Sequence, residues 1–152
     1  MKIGFIGVGA MGNPMAQILL KNNYEVYVFD VDPRQYENLL PLGAKSCTSN
    51  AEIAQKSDLI ITSLPNAKIV EAVMTGDQGV IPNAKPGTII MDMSSVSPST
   101  TQRMEKLAQK YQVKYIDAPV SGGVAGAKAG TLTIMVGSDR ETFDKIKPVL
   151  DI

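Results

Sequence analysis

Residues 58–65, DLIITSLP, form an almost unbroken apolar run, and GTIIMDMS (87–94) repeats the pattern further along the chain. Both are far too short to span a bilayer. Both are also too uniformly apolar for a strand with one wet face. A strand reads this way when both of its faces are covered, as in a parallel sheet flanked by helices. Segments of helical spacing lie between these runs. KIGFIGV (2–8) reads as a first strand, followed by a helix over MGNPMAQILLKNN (11–23) in which Met15, Ile18 and Leu19 share a face. EVYVFD (25–30) reads as a second strand, Pro33 opens a helix to about Leu40, and residues 44–47 form a short third strand. SNAEIAQKS (49–57) has Ser49 as N-cap and Glu52 three residues later, a capping-box pattern. After the 58–65 strand come a helix (66–75), the 87–94 strand and a helix from Ser97 and Pro98 to about Lys110. Two strands, VKYIDAP (113–119) and TLTIMVG (131–137), precede a closing helix (139–150). The alternation predicts an α/β chain on a mostly parallel sheet with helices on both faces.

A length of 152 residues suits one such domain with its own core and not two. Lys+Arg and Asp+Glu both number 15, so no basic field awaits nucleic acid or an anionic membrane. No apolar stretch reaches membrane-span length, and the N-terminus reads as a first strand rather than a signal peptide. The lone Cys47 has no internal disulfide partner, which suits a reducing cytoplasm. With no histidine and one cysteine, His-based triads, Cys–His nucleophiles and ordinary structural zinc sites are excluded, and no metal site is expected. Chemistry must rest on Lys, Ser, Thr, Tyr, carboxylates, backbone amides or a bound cofactor.

Gly7, Val8, Gly9, Ala10, Met11 and Gly12 match G-x-G-x-x-G, placed after a predicted strand and opening a predicted helix. In that context Gly7 permits a tight turn, Gly9 lets backbone approach a pyrophosphate, and Gly12 allows close helix–strand packing. The helix N-terminus then offers free N–H groups and the positive end of its dipole to the phosphates. Asp30 ends the second strand, where a carboxylate accepts hydrogen bonds from the adenosine ribose hydroxyls and repels a 2′-phosphate. NAD is therefore favoured, with Arg34 keeping NADP as the less favoured alternative. An S-adenosylmethionine methyltransferase would place a similar turn and acid, and the first turn alone leaves that reading open.

The segment from Asp117 to Gly137, DAPVSGGVAGAKAGTLTIMVG, holds five glycines, a density that costs backbone entropy. Ser121 offers a hydroxyl, and Gly122 and Gly123 offer amides with no side chain in the way. Such a set suits a carboxylate. A plain crossing loop is the alternative, and Gly126 and Gly130 read as loop-shaping.

Four motifs, GFIGVGAMGNPMA (4–16), SLP (63–65), DMSSVSP (92–98) and the 117–137 segment, together resemble the 3-hydroxyacid dehydrogenases. That family includes 3-hydroxyisobutyrate dehydrogenase and tartronate semialdehyde reductase (2-hydroxy-3-oxopropionate reductase). The resemblance spans essentially the whole chain and implies a Rossmann-type, doubly wound domain. It implies that Gly7–Gly12 hold the cofactor pyrophosphate, that Leu64 and Pro65 lie beside the cofactor, and that Ser95 lies near the nicotinamide. It also implies that Ser121, Gly122 and Gly123 contact a small hydroxy-acid substrate. The 6-phosphogluconate dehydrogenases share a similar signature, but TLTIMVG is closer to the small-hydroxyacid branch.

The same resemblance implies a catalytic lysine on a long helix beyond Ile152, followed by a helical substrate and dimerisation domain. No catalytic residue is therefore expected within 1–152, and Lys145 and Lys147 read as solvated residues of the closing helix. The full protein is expected to be a homo-oligomer. Isolated 1–152 is expected to bind NAD with little or no turnover. A stand-alone NAD-binding or sensor module without catalysis is the competing reading.

Overall fold

The computed structural model describes all 152 residues, Met1–Ile152. Strands β1 (Lys2–Ile6), β2 (Glu25–Phe29), β3 (Lys45–Ser46), β4 (Leu59–Thr62), β5 (Ile89–Asp92) and β6 (Lys114–Asp117) form one sheet. Its order is β3-β2-β1-β4-β5-β6, and every pairing is parallel. The register sets Ile6 opposite Phe29 and Thr62, Thr62 opposite Asp92, and Asp92 opposite Asp117. Five strands thus finish along one edge. The order reverses between β1 and β4, and it is outside the carboxyl ends at such a reversal that open α/β sheets bind ligands.

Seven helices cover the sheet: α1 (Gly12–Lys21), α2 (Asn50–Lys56), α3 (Ala67–Met74), α4 (Val80–Asn83), α5 (Pro98–Lys110), α6 (Gly123–Ala129) and α7 (Arg140–Leu150). On one face Phe5, Leu59, Ile61 and Met91 pack with Met15 and Leu19 of α1, Ala127 of α6, and Ile146 and Val149 of α7. On the other, Ile60 and Ile90 pack with Ile53 of α2, Met74 of α3, Ile81 of α4 and Met104 of α5. The unbroken apolar run in β4 follows directly, because successive residues alternate between two covered faces. Phe5 and Ile60 are fully buried, each contributing about 1.5–3 kcal/mol by removal from water.

The predicted helix starts at Ser49 and Ser97 hold. Ser49 Oγ accepts the Glu52 N–H at 3.1 Å, and Ser97 Oγ accepts the Thr100 N–H with Pro98 as first helical residue. The return arm of the capping box is shifted by one residue. The Glu52 carboxylate accepts from the Thr48 N–H (2.6 Å) and hydroxyl (2.8 Å) rather than from Ser49, and pairs with Lys56 at 2.7 Å. Lys56, then Thr48, hold its carboxyl down to about 2. Cys47 is buried at the end of β3, its N–H bonded to the Val28 carbonyl at 2.9 Å. Burial, then the Glu52 charge, pushes its thiol up to about 11.

Two expectations are corrected. Residues 33–40 are not an α-helix but part of two 3₁₀ segments, Pro33–Gln35 and Glu37–Leu42. Only Leu39 is fully buried there, with Tyr36 packed against the core, Pro41 interrupts the hydrogen bonding, and Gly43 turns the chain at φ +104°. The 131–137 strand is reduced to β8 (Thr133–Ile134), which pairs antiparallel with β7 (Val120–Ser121) in a separate two-stranded sheet. The connection holding α6 is too short for a parallel crossover, so the chain returns antiparallel. Helix α6 itself lies where the sequence suggested a loop.

Candidate functional site

The glycine turn joins β1 to α1. Gly7 is buried with φ +85°, and its N–H donates to the Phe29 carbonyl at 3.1 Å. A Cβ on Gly7 would collide with the Ser63 carbonyl oxygen, and one on Gly12 with the Gly7 carbonyl oxygen and the Phe5 ring. Gly9 differs: a Cβ there would meet nothing within 4 Å. The fold needs Gly7 and Gly12, whereas the space over Gly9 is free for a ligand. Val8 is buried, Met11 packs against the core, and Ala10 is exposed. Helix α1 begins without a side-chain cap or an acidic residue in its first turn. The Asn13 N–H is taken by the Gly9 carbonyl at 2.9 Å and Pro14 has none, so the amides open to an anion are those of Ala10, Met11 and Gly12.

Asp30 stands just past β2. Its Oδ2 accepts the Val8 N–H at 3.0 Å and its Oδ1 the Asp32 N–H at 3.0 Å, so one carboxylate clamps both the glycine turn and the β2 exit. Beyond it, Arg34 donates to both oxygens of Asp32 at 2.9 Å from Nε and Nη2. This fork holds Asp32 below the usual carboxylate range. Val31, between the two acids, is 92% exposed. Asn13 ties α1 to this exit through the Gln35 carbonyl and the Asn38 side chain, both at 2.7 Å.

On the other side of the reversal, Leu64 is half-buried and Pro65 exposed after β4, and Ser95 is exposed after β5. The buried neighbour Ser94 was not singled out by sequence, yet its Oγ accepts the Leu64 N–H at 2.9 Å. Ser94 N–H in turn donates to Oδ1 of fully buried Asp92 at 3.0 Å. Asp92 also accepts from the Thr62 hydroxyl (2.8 Å, Oδ1) and the Tyr115 hydroxyl (2.8 Å, Oδ2). Burial and then the Asp92 charge push the Tyr115 hydroxyl far up its scale and raise Asp117 as well. The signal for this cluster was the one acid inside the apolar run IIMDM.

Ser121 lies in β7 and is exposed, as are Gly122 (φ +135°) and Gly123 (φ +62°). Two successive left-handed residues turn the chain into α6 and leave their amides uncovered. Gly126 is buried against Leu132, and Gly130 caps α6 in the left-handed region beside Ile18 of α1, so both shape the loop. Lys145 and Lys147 pair with Glu141 and Asp151 at the i±4 positions of α7 and its C-cap. No three His, Cys, Asp or Glu side chains converge as a metal site, and no helix is long and apolar enough to cross a membrane. Every residue singled out for the cofactor therefore sits at the carboxyl ends of β1, β2, β4 and β5, and the Ser121–Gly123 turn lies just past β6.

A family model described as the NAD-binding domain of 6-phosphogluconate dehydrogenase matches residues 2–152. The chain belongs to this family. Among its relatives, 2-(hydroxymethyl)glutarate dehydrogenase of Eubacterium barkeri is 55% identical over 151 residues, covering 99% of this chain and 50% of the relative. The 2-hydroxy-3-oxopropionate reductase of Escherichia coli is 41% identical over 152 residues, 100% of this chain and 52% of the relative. A solved Mycobacterium tuberculosis 3-hydroxyisobutyrate dehydrogenase with L-serine superposes with TM-score 0.92 at 35% identity, covering 99% of this chain and 50% of that one. A solved Psf3 in complex with NADP+ and 2-OPP gives TM-score 0.93 at 27% identity, over 98% and 53% of the two chains. The expected kinship with the 3-hydroxyacid dehydrogenases stands, and the chain is the NAD-binding domain of that family. It spans about half the length of the relatives it matches.

Proposed function

We propose that the crevice at the sheet reversal binds NAD, and that the domain serves an oxidoreductase acting on a small 3-hydroxy acid or its semialdehyde. The observation that carries this is the contrast among the turn glycines: two are demanded by packing, and Gly9 faces open space that a side chain would fill. The pyrophosphate would lie over Gly9, Ala10 and Met11 at the uncapped start of α1. Asp30, whose oxygens keep accepting capacity beyond their backbone donors, would take the adenosine ribose, with exposed Val31 beside the adenine. Arg34, four residues past Asp30, would be the cation to meet a 2′-phosphate, and its fork onto Asp32 favours NAD over NADP.

Leu64, Pro65 and Ser95 would line the nicotinamide half. Ser121, Gly122 and Gly123 would hold the substrate carboxylate through one hydroxyl and bare amides. The nicotinamide, when bound, supplies the hydride-transfer chemistry. This chain's residues bind, orient and shield the reacting groups. Lys145 and Lys147 already serve as ion-pair partners on α7, and the resemblance assigns the proton donor to a lysine beyond Ile152. The longer protein would be a homo-oligomer, and the buried free thiol of Cys47 suits a reducing cytoplasm.

The test is calorimetric titration of purified 1–152 with NADH, NADPH and S-adenosylmethionine, followed by turnover assays with 3-hydroxy acids. NADH should bind, NADPH more weakly, and S-adenosylmethionine not at all. Turnover should be negligible. Absence of NADH binding would overturn the cofactor reading, and robust turnover would overturn the assignment of the proton donor.

A further inference from the structure

We propose that Asp92 is a positioning residue for the nicotinamide half of the site, acting through Ser94 on the backbone of Leu64. This rests on the cofactor reading above. Asp92 is wholly enclosed, in a strand whose other residues are Ile89, Ile90 and Met91. A carboxylate taken out of water is expensive unless donors surround it. Here three do, and they come from three places: Thr62 at the end of β4, Tyr115 in β6, and the Ser94 N–H in the exit from β5. One side chain at the carboxyl end of β5 therefore ties together the carboxyl end of β4, the exit from β5 and, through the Tyr115 hydroxyl, strand β6.

The consequence reaches the crevice one step further on. Leu64 leaves β4 past its last ladder position, so its N–H needs a partner outside the sheet. That partner is Ser94 Oγ at 2.9 Å, held in place because the Ser94 main chain is bonded to Asp92. The exits of β4 and β5, thirty residues apart in sequence, are locked to each other through this relay. In a sheet of order β3-β2-β1-β4-β5-β6, each half receives one mononucleotide. The half bearing Asp30 and the glycine turn takes adenosine and pyrophosphate. The half that Asp92 braces is left for the nicotinamide.

A buried charge is weak evidence for stability, since replacing even a whole buried ion pair by well-packed apolar residues is often neutral or stabilising. A carboxylate kept here is therefore accounted for by the aim it gives to the β4 and β5 exits. The prediction separates the two halves of the cofactor. NADH and ADP-ribose, which lacks the nicotinamide, are titrated into the whole chain, its Asp92→Asn variant and its Ser94→Ala variant. Wild type should bind NADH more tightly than ADP-ribose. Both variants should weaken NADH about tenfold, the scale of one hydrogen bond to a charged group, while ADP-ribose changes less than about twofold. Ser94→Ala leaves the Asp92 donors from Thr62 and Tyr115 untouched, so it decides the matter if Asp92→Asn does not fold. Equal losses for both ligands, no loss in Ser94→Ala, or equal wild-type affinities would overturn the positioning role alone. A wild type that binds neither ligand would instead bring down the cofactor reading.

Discussion

The carboxylate of Asp30 accepts the backbone N–H of Val8 at 3.0 Å across twenty-two residues of chain. The same side chain proposed to read the ribose therefore also shapes the turn proposed to hold the phosphates. Removing it should damage both. Asp30→Ala is expected to weaken NADH binding by at least about tenfold, because a charge-assisted hydrogen bond contributes about 1.5–3 kcal/mol. It should also lower the urea midpoint, since the Val8 and Asp32 amides lose their acceptor. Calorimetry and denaturation on one preparation check both halves, and loss of binding with unchanged stability would show that the clamp is not structural.

Gly9→Ala and Gly12→Ala should behave as opposites. Gly9 has open space where its Cβ would stand, so the alanine variant should keep the wild-type melting temperature yet lose NADH affinity by about tenfold or more through collision with the ligand. Gly12 has the Gly7 carbonyl and the Phe5 ring in that place. Its alanine variant should lose about 1–3 kcal/mol of stability even without ligand. Thermal melts with and without NADH separate the two, and a destabilised Gly9→Ala would remove the case for a ligand over that residue.

Arg34 is held by a two-pronged bond to Asp32. Asp32→Ala should release the guanidinium and delete a negative charge, raising the NADPH-to-NADH affinity ratio severalfold. Arg34 is exposed and Asp32 only half-buried, so the ion pair itself contributes little to stability. Asp32 Oδ1 also accepts the Arg34 N–H at 3.1 Å as the cap of the Pro33–Gln35 turn, so the melting temperature should fall only slightly. A ratio unchanged by the substitution would place the 2′-phosphate discrimination elsewhere, with Asp30 the next residue to vary.

Acid stability should depend on Glu52. Its carboxyl falls from an ordinary value of 4.5 to about 2 in the folded chain. A lowered value contributes stability above the unfolded pKa, and that contribution disappears as pH falls through the folded one. Glu52→Gln should therefore lower the urea midpoint at neutral pH and flatten its decline between those two values. Asp117 acts in the other direction: burial and Asp92 raise it, so its folded state is favoured most below its ordinary value and loses ground as pH rises. Asp117→Asn should raise the neutral-pH midpoint. Parallel pH profiles for wild type and Glu52→Gln would contradict the first assignment.

Much of this architecture is local and hence readable along the chain. The apolar runs of β4 and β5 announce two covered faces, and the glycine turn declares itself by its place between strand and helix. What escaped has non-local causes. Helix α6 forms from a glycine-rich segment because burying Ala127 against the core outweighs a poor helical propensity. The turns after Pro33 look helical in composition, but only Leu39 is fully buried there, with Tyr36 packed against the core from the side. Within the site, Ser95 was visible by its motif, whereas Ser94 matters through Leu64 and Asp92 matters through Thr62 and Tyr115, partners that only the folded sheet brings together.

Cys47 is the chain's single thiol, and its pKa of about 11 has a practical side. Thiol reagents attack the thiolate, and at pH 8 only about one thiol in a thousand would be ionised at such a value. Enclosure against β2 removes even that fraction from the reagent's reach while the fold is closed. A second cysteine placed on the surface would therefore accept a spectroscopic label alone, with no need to mutate the native one. Cys47 would remain inside as a silent clock, reacting only at the rate at which the edge of the sheet opens.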